Sequence, residues 1–469
     1  MLRRYDVYKE ISINSIVIYF VGILLFGIVY FVSGITGLIL QSDMTGVSPF
    51  WPASGVSFFI LIHYGLKYWP GILLGMALVA WYEDIPQFIS LISACAGTLE
   101  AIIPILILRH LGFDQKLHSI RDVLLFTSIA VIAGPVISAS VGTITVSHFN
   151  PESTIKLENI WLLWWIGNSM GILVIAAFLL SLKTSKHHFE NFKSYLELFV
   201  IILIAIAISF SALMTDSQHP SILILYLALP FVSYAAYRYN LFGTTATILV
   251  IFLTIVFVRQ FLDPALFSQR SLGDIFQIIA FLWITTFTGI SISAAVAGLK
   301  DNVELAFLAH HDPLTELANR RVLEQRINRV IESKAHQSSK NSLIFIDLDY
   351  LKQINDQYGH QMGDEVLVVL ADLIRQHLRM RDTVCRYGGD EYVILLENCT
   401  LDEATIIAQK LLNTVRSHHF SAFDKTFNVT VSIGLTLLNN YDSLLMAMSA
   451  ADKALYKAKS AGRDQFQIQ

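Results

Sequence analysis

Ser342-Leu343-Ile344-Phe345-Ile346-Asp347-Leu348-Asp349 is a short apolar run that stops on two carboxylates. Its length and its β-branched and aromatic content predict a buried strand over residues 342–346. A strand is stiff, so it holds Asp347 and Asp349 at a fixed place on the domain surface. Outward from this strand the apolar period alternates. A helix is predicted after Asn319-Arg320-Arg321, and another over about 363–379. Short strands near 383–387 and 392–396 flank Gly388-Gly389. A helix near 402–418, a strand over 429–433 and a last helix near 442–461 complete the domain. This order predicts an α+β arrangement with helices on one face of an antiparallel sheet.

Gly388-Gly389 between two strand patterns reads as a tight hairpin, with Asp390 and Glu391 directly behind it. Acidic residues at a strand end and on a hairpin are the oxygen ligands that Mg²⁺ prefers when it also takes substrate phosphates. Two such ions would activate a hydroxyl and stabilise charge on a transferring phosphate. Taken singly, an Asp pair and a Gly-Gly turn equally describe solvated caps and hairpins.

The rest of the chain differs in kind. Of 469 residues 54% are hydrophobic and 15% charged, unlike a soluble domain. Residues 1–300 hold 15 of the 33 Lys and Arg and 15 of the 37 Asp and Glu, so the charge lies mainly in residues 301–469. A membrane region followed by one soluble domain is predicted. Cys95, Cys385 and Cys399 form no metal or disulfide spacing. No basic run suggests nucleic acid as a partner. The basic N-terminus leads into a long apolar span with no small-residue cleavage pattern, so the first helix is expected to be retained.

Apolar segments lie near 15–40, 54–66, 70–82, 88–108, 122–147, 160–182, 196–214, 221–237, 242–262 and 275–299, giving about eight to ten spans. The second and third are short and are separated by Pro70 and Gly71. An even count puts both termini on one side. One set of loops then holds Arg3, Arg4, Lys9, Lys67, Arg109, Lys116, Arg121, Lys183, Lys186, Lys193, Arg238 and Lys300. The other holds Lys156, Arg259 and Arg270. This asymmetry places the soluble domain in the cytoplasm. Glu100 falls inside an apolar segment, where a carboxylate costs a few kcal/mol and faces a partner or a cavity. A transporter is the competing class, but intramembrane charge is sparse and no internal repeat is visible.

Trp51-Pro52-Ala53-Ser54-Gly55, Trp69-Pro70-Gly71 with Gly75, Gly167-Asn168-Ser169-Met170-Gly171, and Leu229-Pro230-Phe231 with Arg238 resemble the first class of membrane-associated sensor domains (MASE). Close helix packing and interfacial Trp explain the same residues without a sensing role. About ten residues, 301–310, connect this half to the soluble domain at 311–469. Their partly helical spacing, without Gly, Ser or Pro, predicts a short stiff helix that transmits movement, against a plain spacer.

In the soluble domain, Asp347-Leu348-Asp349-Tyr350-Leu351-Lys352-Gln353-Ile354-Asn355-Asp356, Gly359-His360, Gly363-Asp364 and Arg386-Tyr387-Gly388-Gly389-Asp390-Glu391-Tyr392 resemble the GGDEF family of diguanylate cyclases. His311-Asp312-Pro313-Leu314-Thr315 with Asn319-Arg320 matches at one end, and Ala451-Asp452 through Gly462-Arg463 at the other. The resemblance implies a palm-like, ferredoxin-like βαββαβ core of the nucleotidyl cyclase type. It also implies condensation of two GTP into cyclic di-GMP by a homodimer in a bacterial inner membrane, with two Mg²⁺ per site and Mn²⁺ as the alternative.

By position, Asp347, the carbonyl of Leu348, Asp390 and Glu391 would hold metal. Glu391 would alternatively aid deprotonation of the 3′-hydroxyl, and Gly388 and Gly389 would line the substrate. Asn355 and Asp364 resemble a guanine-reading pair, since a carboxylate accepts from the guanine N–H groups. Lys352, Lys459 and Arg463 resemble a phosphate clamp. Lys459 and Arg463 also suit an exposed basic helix end. Tyr392 stands where the family has Phe, with a small effect expected if its edge is wet. Glu316 stands where Gly is frequent, which bears on the local turn.

Arg379-Met380-Arg381-Asp382 matches an RxxD inhibitory site for the product, against a plain Arg/Asp pair at a helix end. A degenerate receptor for GTP or cyclic di-GMP is the alternative function, and altered base choice another. The intact Asp347, Lys352, Asp390 and Glu391 disfavour the first, and Asp364 disfavours the second. No room is left after Gln469 for an EAL-type phosphodiesterase, so product hydrolysis is not expected. The membrane half is expected to meet lipid and an unidentified signal ligand.

Overall fold

The computed structural model describes residues 13–41, 47–149, 156–183, 192–214, 222–262, 272–333, 340–422 and 425–469. The basic N-terminus, Lys186 and Arg270, used above to orient the chain, lie outside them. The chain divides into two compact units, Met1–Lys300 and Asp301–Gln469.

Among the described residues seven helices are long and apolar enough to cross a membrane: Ile16–Leu38, Gln87–His110, Ile120–His148, Leu157–Ser181, Phe192–Met214, Leu223–Phe257 and Phe276–His310. Pro52–Tyr64 and Pro70–Tyr82 have 13 residues each, about 20 Å at 1.5 Å per residue and shorter than a bilayer core. The segments expected at 221–237 and 242–262 fall within one helical run. That run is broken at Asn240, whose φ of 52° and ψ of −147° are not helical.

The motif glycines mark where backbones touch. A Cβ on Gly171 would lie 1.9 Å from the Trp51 carbonyl oxygen, and one on Gly55 2.1 Å from that of Gly171. The Trp51 N–H donates to the Gly167 carbonyl at 2.9 Å. These contacts join the Trp-Pro-Ala-Ser-Gly and Gly-Asn-Ser-Met-Gly segments, because only glycine admits such an approach. Glu100 is buried. It accepts from the Ser138 hydroxyl and, at 2.9 Å, from Asn168 Nδ2.

In the second unit a six-stranded sheet runs in the order β1-β3-β4-β2-β7-β8. The strands are β1 (Ala318–Asn319), β2 (Ser342–Leu348), β3 (Thr383–Gly388), β4 (Glu391–Leu396), β7 (Val431–Leu437) and β8 (Phe466–Ile468). A separate hairpin pairs β5 (Phe420–Ala422) with β6 (Lys425–Phe427). The predicted strand at 342–346 is the sheet centre, antiparallel to both β4 and β7. With the helices between strands, β2, β3, β4 and β7 form the βαββαβ core.

Helices cover both faces of the sheet rather than one. Ile344, Ile346, Tyr392 and Ile394 pack with Val366 and Leu370 of helix His360–Arg375 and with Leu411 of helix Leu401–Ser417. Leu343, Phe345, Val393 and Leu395 pack on the other side with Leu323 of helix Arg320–Glu332 and Leu455 of helix Leu444–Ser460. Every residue of β2 is buried. An unbroken apolar strand is what two covered faces require. The sheet is also mixed, since β1 lies parallel to β3 and β8 parallel to β7.

Residues 301–310 continue helix Leu272–His310. Glu316 adopts a φ of 55°, so the turn that elsewhere favours glycine keeps its left-handed backbone here with a side chain.

Candidate active site

The site begins at the open end of β2. In the β2–β4 ladder Asp347 lies directly opposite Glu391, and the Leu348 N–H donates to the Asp390 carbonyl at 3.2 Å. The β3–β4 connection is tight, with Gly389 at φ +52° and Gly388 paired to Glu391. This hairpin brings Asp390 and Glu391 beside Asp347, as neither strand alone could.

Burial pushes the Asp347 carboxyl up to about 6. The Lys459 ammonium, 2.7 Å from its Oδ2, opposes that rise, while the charges of Asp390 and Glu391 add to it. Glu391 is likewise raised, first by burial and then by Asp390. Crowded acids that resist ionisation gain from a cation among them.

Among the described residues no three His, Cys, Asp or Glu side chains come close enough to enclose an ion. Asp347 is engaged by Lys459 instead. The donors nonetheless suit a hard, oxygen-seeking dication: the carboxylates of Asp347, Asp390 and Glu391, with the carbonyl of Leu348. Asp349, the other carboxylate of the strand end, has a different task. It is buried and accepts from the hydroxyls of Thr430 and Ser432, each at 2.8 Å, and from the Asp464 N–H at 3.2 Å. It ties the loop after the last helix to β2 and so fixes Arg463.

Lys352 and Asn355 stand on helix Leu351–Tyr358, absent from the elements predicted above and entered through Tyr350 in the left-handed region at φ 62°. Gly359, at φ +87°, joins this helix to His360–Arg375, which bears Asp364. A Cβ on Gly363 would lie 1.9 Å from Asn355 Oδ1, so the glycine lets Asn355 pack beside Asp364. Asn355 Oδ1 is buried and has no hydrogen-bond partner among the described residues. A buried unpaired acceptor costs free energy until a donor reaches it. Lys352 and Asp364 are exposed.

Lys459 and Arg463 are not merely a solvated helix end. Lys459 holds Asp347, and the Arg463 guanidinium lies 4.8 Å from the Tyr350 ring centroid. Arg386, to which the sequence alone assigns no role, links two motifs. Its Nε donates to the Gly389 carbonyl at 2.9 Å, and its Nη1 lies 3.2 Å from Asp312 Oδ1. Asp312 in turn accepts from the backbone N–H and hydroxyl of Thr315.

Tyr392 does not face a wet edge. Its side chain is fully buried and its hydroxyl donates to the Leu367 carbonyl at 2.8 Å. Arg379 and Asp382 form a turn beyond helix His360–Arg375, not a pair on a helix end. The Asp382 carboxylate accepts the Arg379 backbone N–H at 2.9 Å, and the Arg379 side chain is exposed.

Residues 23–298 match the MASE1 family, and residues 309–465 match the family described as diguanylate cyclase, GGDEF domain. The probable diguanylate cyclase DgcE of Escherichia coli is 37% identical over 161 residues, 34% of this chain and 15% of that protein. The bifunctional diguanylate cyclase/cyclic di-GMP phosphodiesterase MucR of Pseudomonas aeruginosa is 36% identical over 166 residues, 35% of this chain and 24% of that protein. The chain thus spans less than a quarter of the length of either relative. The solved GGDEF domain of TpbB (YfiN) from Pseudomonas aeruginosa is 34% identical, with 34% of this chain covering 94% of that one at a TM-score of 0.33. The chain belongs to the MASE1 family through its membrane half and to the GGDEF diguanylate cyclase family through its C-terminal domain.

Proposed function

We propose that this chain is a membrane-anchored diguanylate cyclase that condenses two GTP into cyclic di-GMP with release of two pyrophosphates. The observation that carries this reading is the placing of Asp347 opposite Glu391, with Asp390 beside them, together with the unpaired acceptor of Asn355 on the helix that follows the same strand. One part of this arrangement suits phosphates and the other a base rich in N–H donors.

Asp347, Asp390, Glu391 and the carbonyl of Leu348 would hold Mg²⁺, or Mn²⁺, two ions per site. The metal would supply charge neutralisation on the triphosphate and acidify the 3′-hydroxyl. Asn355 and Asp364 accept from the guanine N1–H and N2–H groups. Lys352 and Arg463 meet phosphate oxygens, and Lys459 joins them when it leaves Asp347. Each domain holds one GTP, so the reaction needs two copies face to face. Each 3′-oxygen attacks the α-phosphorus of the other nucleotide, the P–O bond to pyrophosphate breaks, and the hydroxyl proton passes to Glu391 or to solvent.

The lysine and arginine distribution supports a cytoplasmic cyclase domain in a bacterial inner membrane. The membrane half controls how two domains meet, and Arg379 with Asp382 binds product as a brake. A guanidinium left free by its neighbouring carboxylate is suited to that role.

Base choice tests the substrate assignment. Incubated with GTP and with ATP in parallel, the purified chain should convert GTP alone, and Asp364→Ala should lose that preference. Equal use of both nucleotides by the unaltered chain would reject the assignment.

A further inference from the structure

Within the membrane unit lies a cavity of about 440 Å³, a size typical of small-molecule sites. Gln41, Val47, Glu83 and Pro86 line it near the start of helix Gln87–His110, and Glu100, Ser138 and Asn168 line it deeper. Glu100 is 13 residues into that helix, about 20 Å at 1.5 Å per residue and so near mid-membrane. The basic residues Lys67, Arg109, Lys116 and Arg121 cluster at the other end of the same helices. The lysine and arginine asymmetry then puts the helix ends that line the cavity on the side away from the cytoplasm.

Its chemistry is one-sided. Among the described residues lining it there is no Lys, Arg or His, while two carboxylates, Glu83 and Glu100, face it. Glu100 makes no ion pair among the described residues, and it takes hydrogen bonds from Ser138 and Asn168. Those donors hold the carboxylate in place without neutralising it. A carboxylate at mid-membrane is stabilised by a counter-charge, and Glu100 lines the cavity where one could sit. The walls add Tyr30, Trp51 and Trp164, whose ring faces attract cations.

We infer that this cavity binds a small organic cation, a primary amine on an aromatic or aliphatic body, with the ammonium against Glu100 and the body among Trp51, Trp164 and Tyr30. This gives chemical content to the signal ligand proposed above for the membrane half, but its test does not depend on cyclase activity.

Calorimetric titration of the full chain in lipid nanodiscs, without nucleotide and with empty discs subtracted, decides it. The probes are phenethylamine, phenethyl alcohol and phenylacetate, alike in body and different in charge. The amine should bind at least tenfold more tightly than the alcohol, and the acid should not bind. Glu100→Gln should remove the preference for the amine. Gly97→Leu is the second variant. Gly97 lines the cavity and a Cβ there meets nothing within 4 Å, so leucine fills space without strain and favours the helix. It should abolish amine binding with an unchanged circular dichroism spectrum. Equal binding of amine and alcohol, no amine binding at all, or a preference that survives Glu100→Gln would overturn the inference.

Discussion

Lys459 Nζ lies 2.7 Å from Asp347 Oδ2, so a residue of the last helix neutralises a carboxylate at the open end of the central strand. The pair joins two segments more than a hundred residues apart and fills the most acidic corner of the site. Lys459→Met removes a cation that serves Asp347 at rest and phosphate during turnover. Cyclic di-GMP formation, followed by chromatography, should fall by about 10²-fold, as on loss of one donor to a transition-state oxyanion. Lys459→Arg should fall less. Unchanged turnover in Lys459→Met would remove the residue from the clamp.

Asp312 and Arg386 set an acid limit on the cyclase domain. Burial raises the Asp312 carboxyl, but the N–H and hydroxyl of Thr315 and the Arg386 guanidinium outweigh it and hold it below its ordinary value. A lowered carboxyl contributes stability that is present above the unfolded value, about 3.9, and is lost as pH falls through the folded one. Denaturant unfolding should therefore show stability declining below about pH 4. Asp312→Asn should flatten that decline. An identical pH profile in the variant would refute the assignment.

The hydroxyl of Tyr392 belongs to the core, not to the reaction. Tyr392→Phe removes its bond to the Leu367 carbonyl, for about 0.5–1.5 kcal/mol of lost stability. Turnover at saturating GTP should remain near that of the unaltered chain. A large loss of turnover with unchanged unfolding would place the hydroxyl in the chemistry instead.

Arg379→Ala should raise the plateau of product formed, because its exposed guanidinium is the proposed grip on cyclic di-GMP. The Asp382 cap on the Arg379 backbone survives this change, so the turn is kept. An unchanged plateau rejects the inhibitory site.

Much of this was legible in the sequence for a physical reason. An apolar strand that ends on a carboxylate, and a hairpin with two glycines, have short-range signatures, and Ser342–Leu348 and the β3–β4 turn follow them. What escaped depended on distance or on single backbone angles. Helix Leu351–Tyr358 spaces Leu351, Ile354 and Tyr358 as a helix would, but it is only eight residues long and starts at a left-handed Tyr350, too short a stretch for its period to stand out. Asp312 and Arg386 are 74 positions apart, and only the fold joins them. The break at Asn240 and the partners of Glu100, drawn from two other helices, are likewise beyond local pattern.

The most direct test is the reaction itself. The purified full chain and its Asp390→Ala variant, incubated with GTP and Mg²⁺, are compared for cyclic di-GMP and pyrophosphate. The account predicts one cyclic dinucleotide per two pyrophosphates from the unaltered chain and a loss of about 10²-fold or more in the variant. GTP that is bound but never condensed, even when two domains are held together by an engineered dimer, would contradict it.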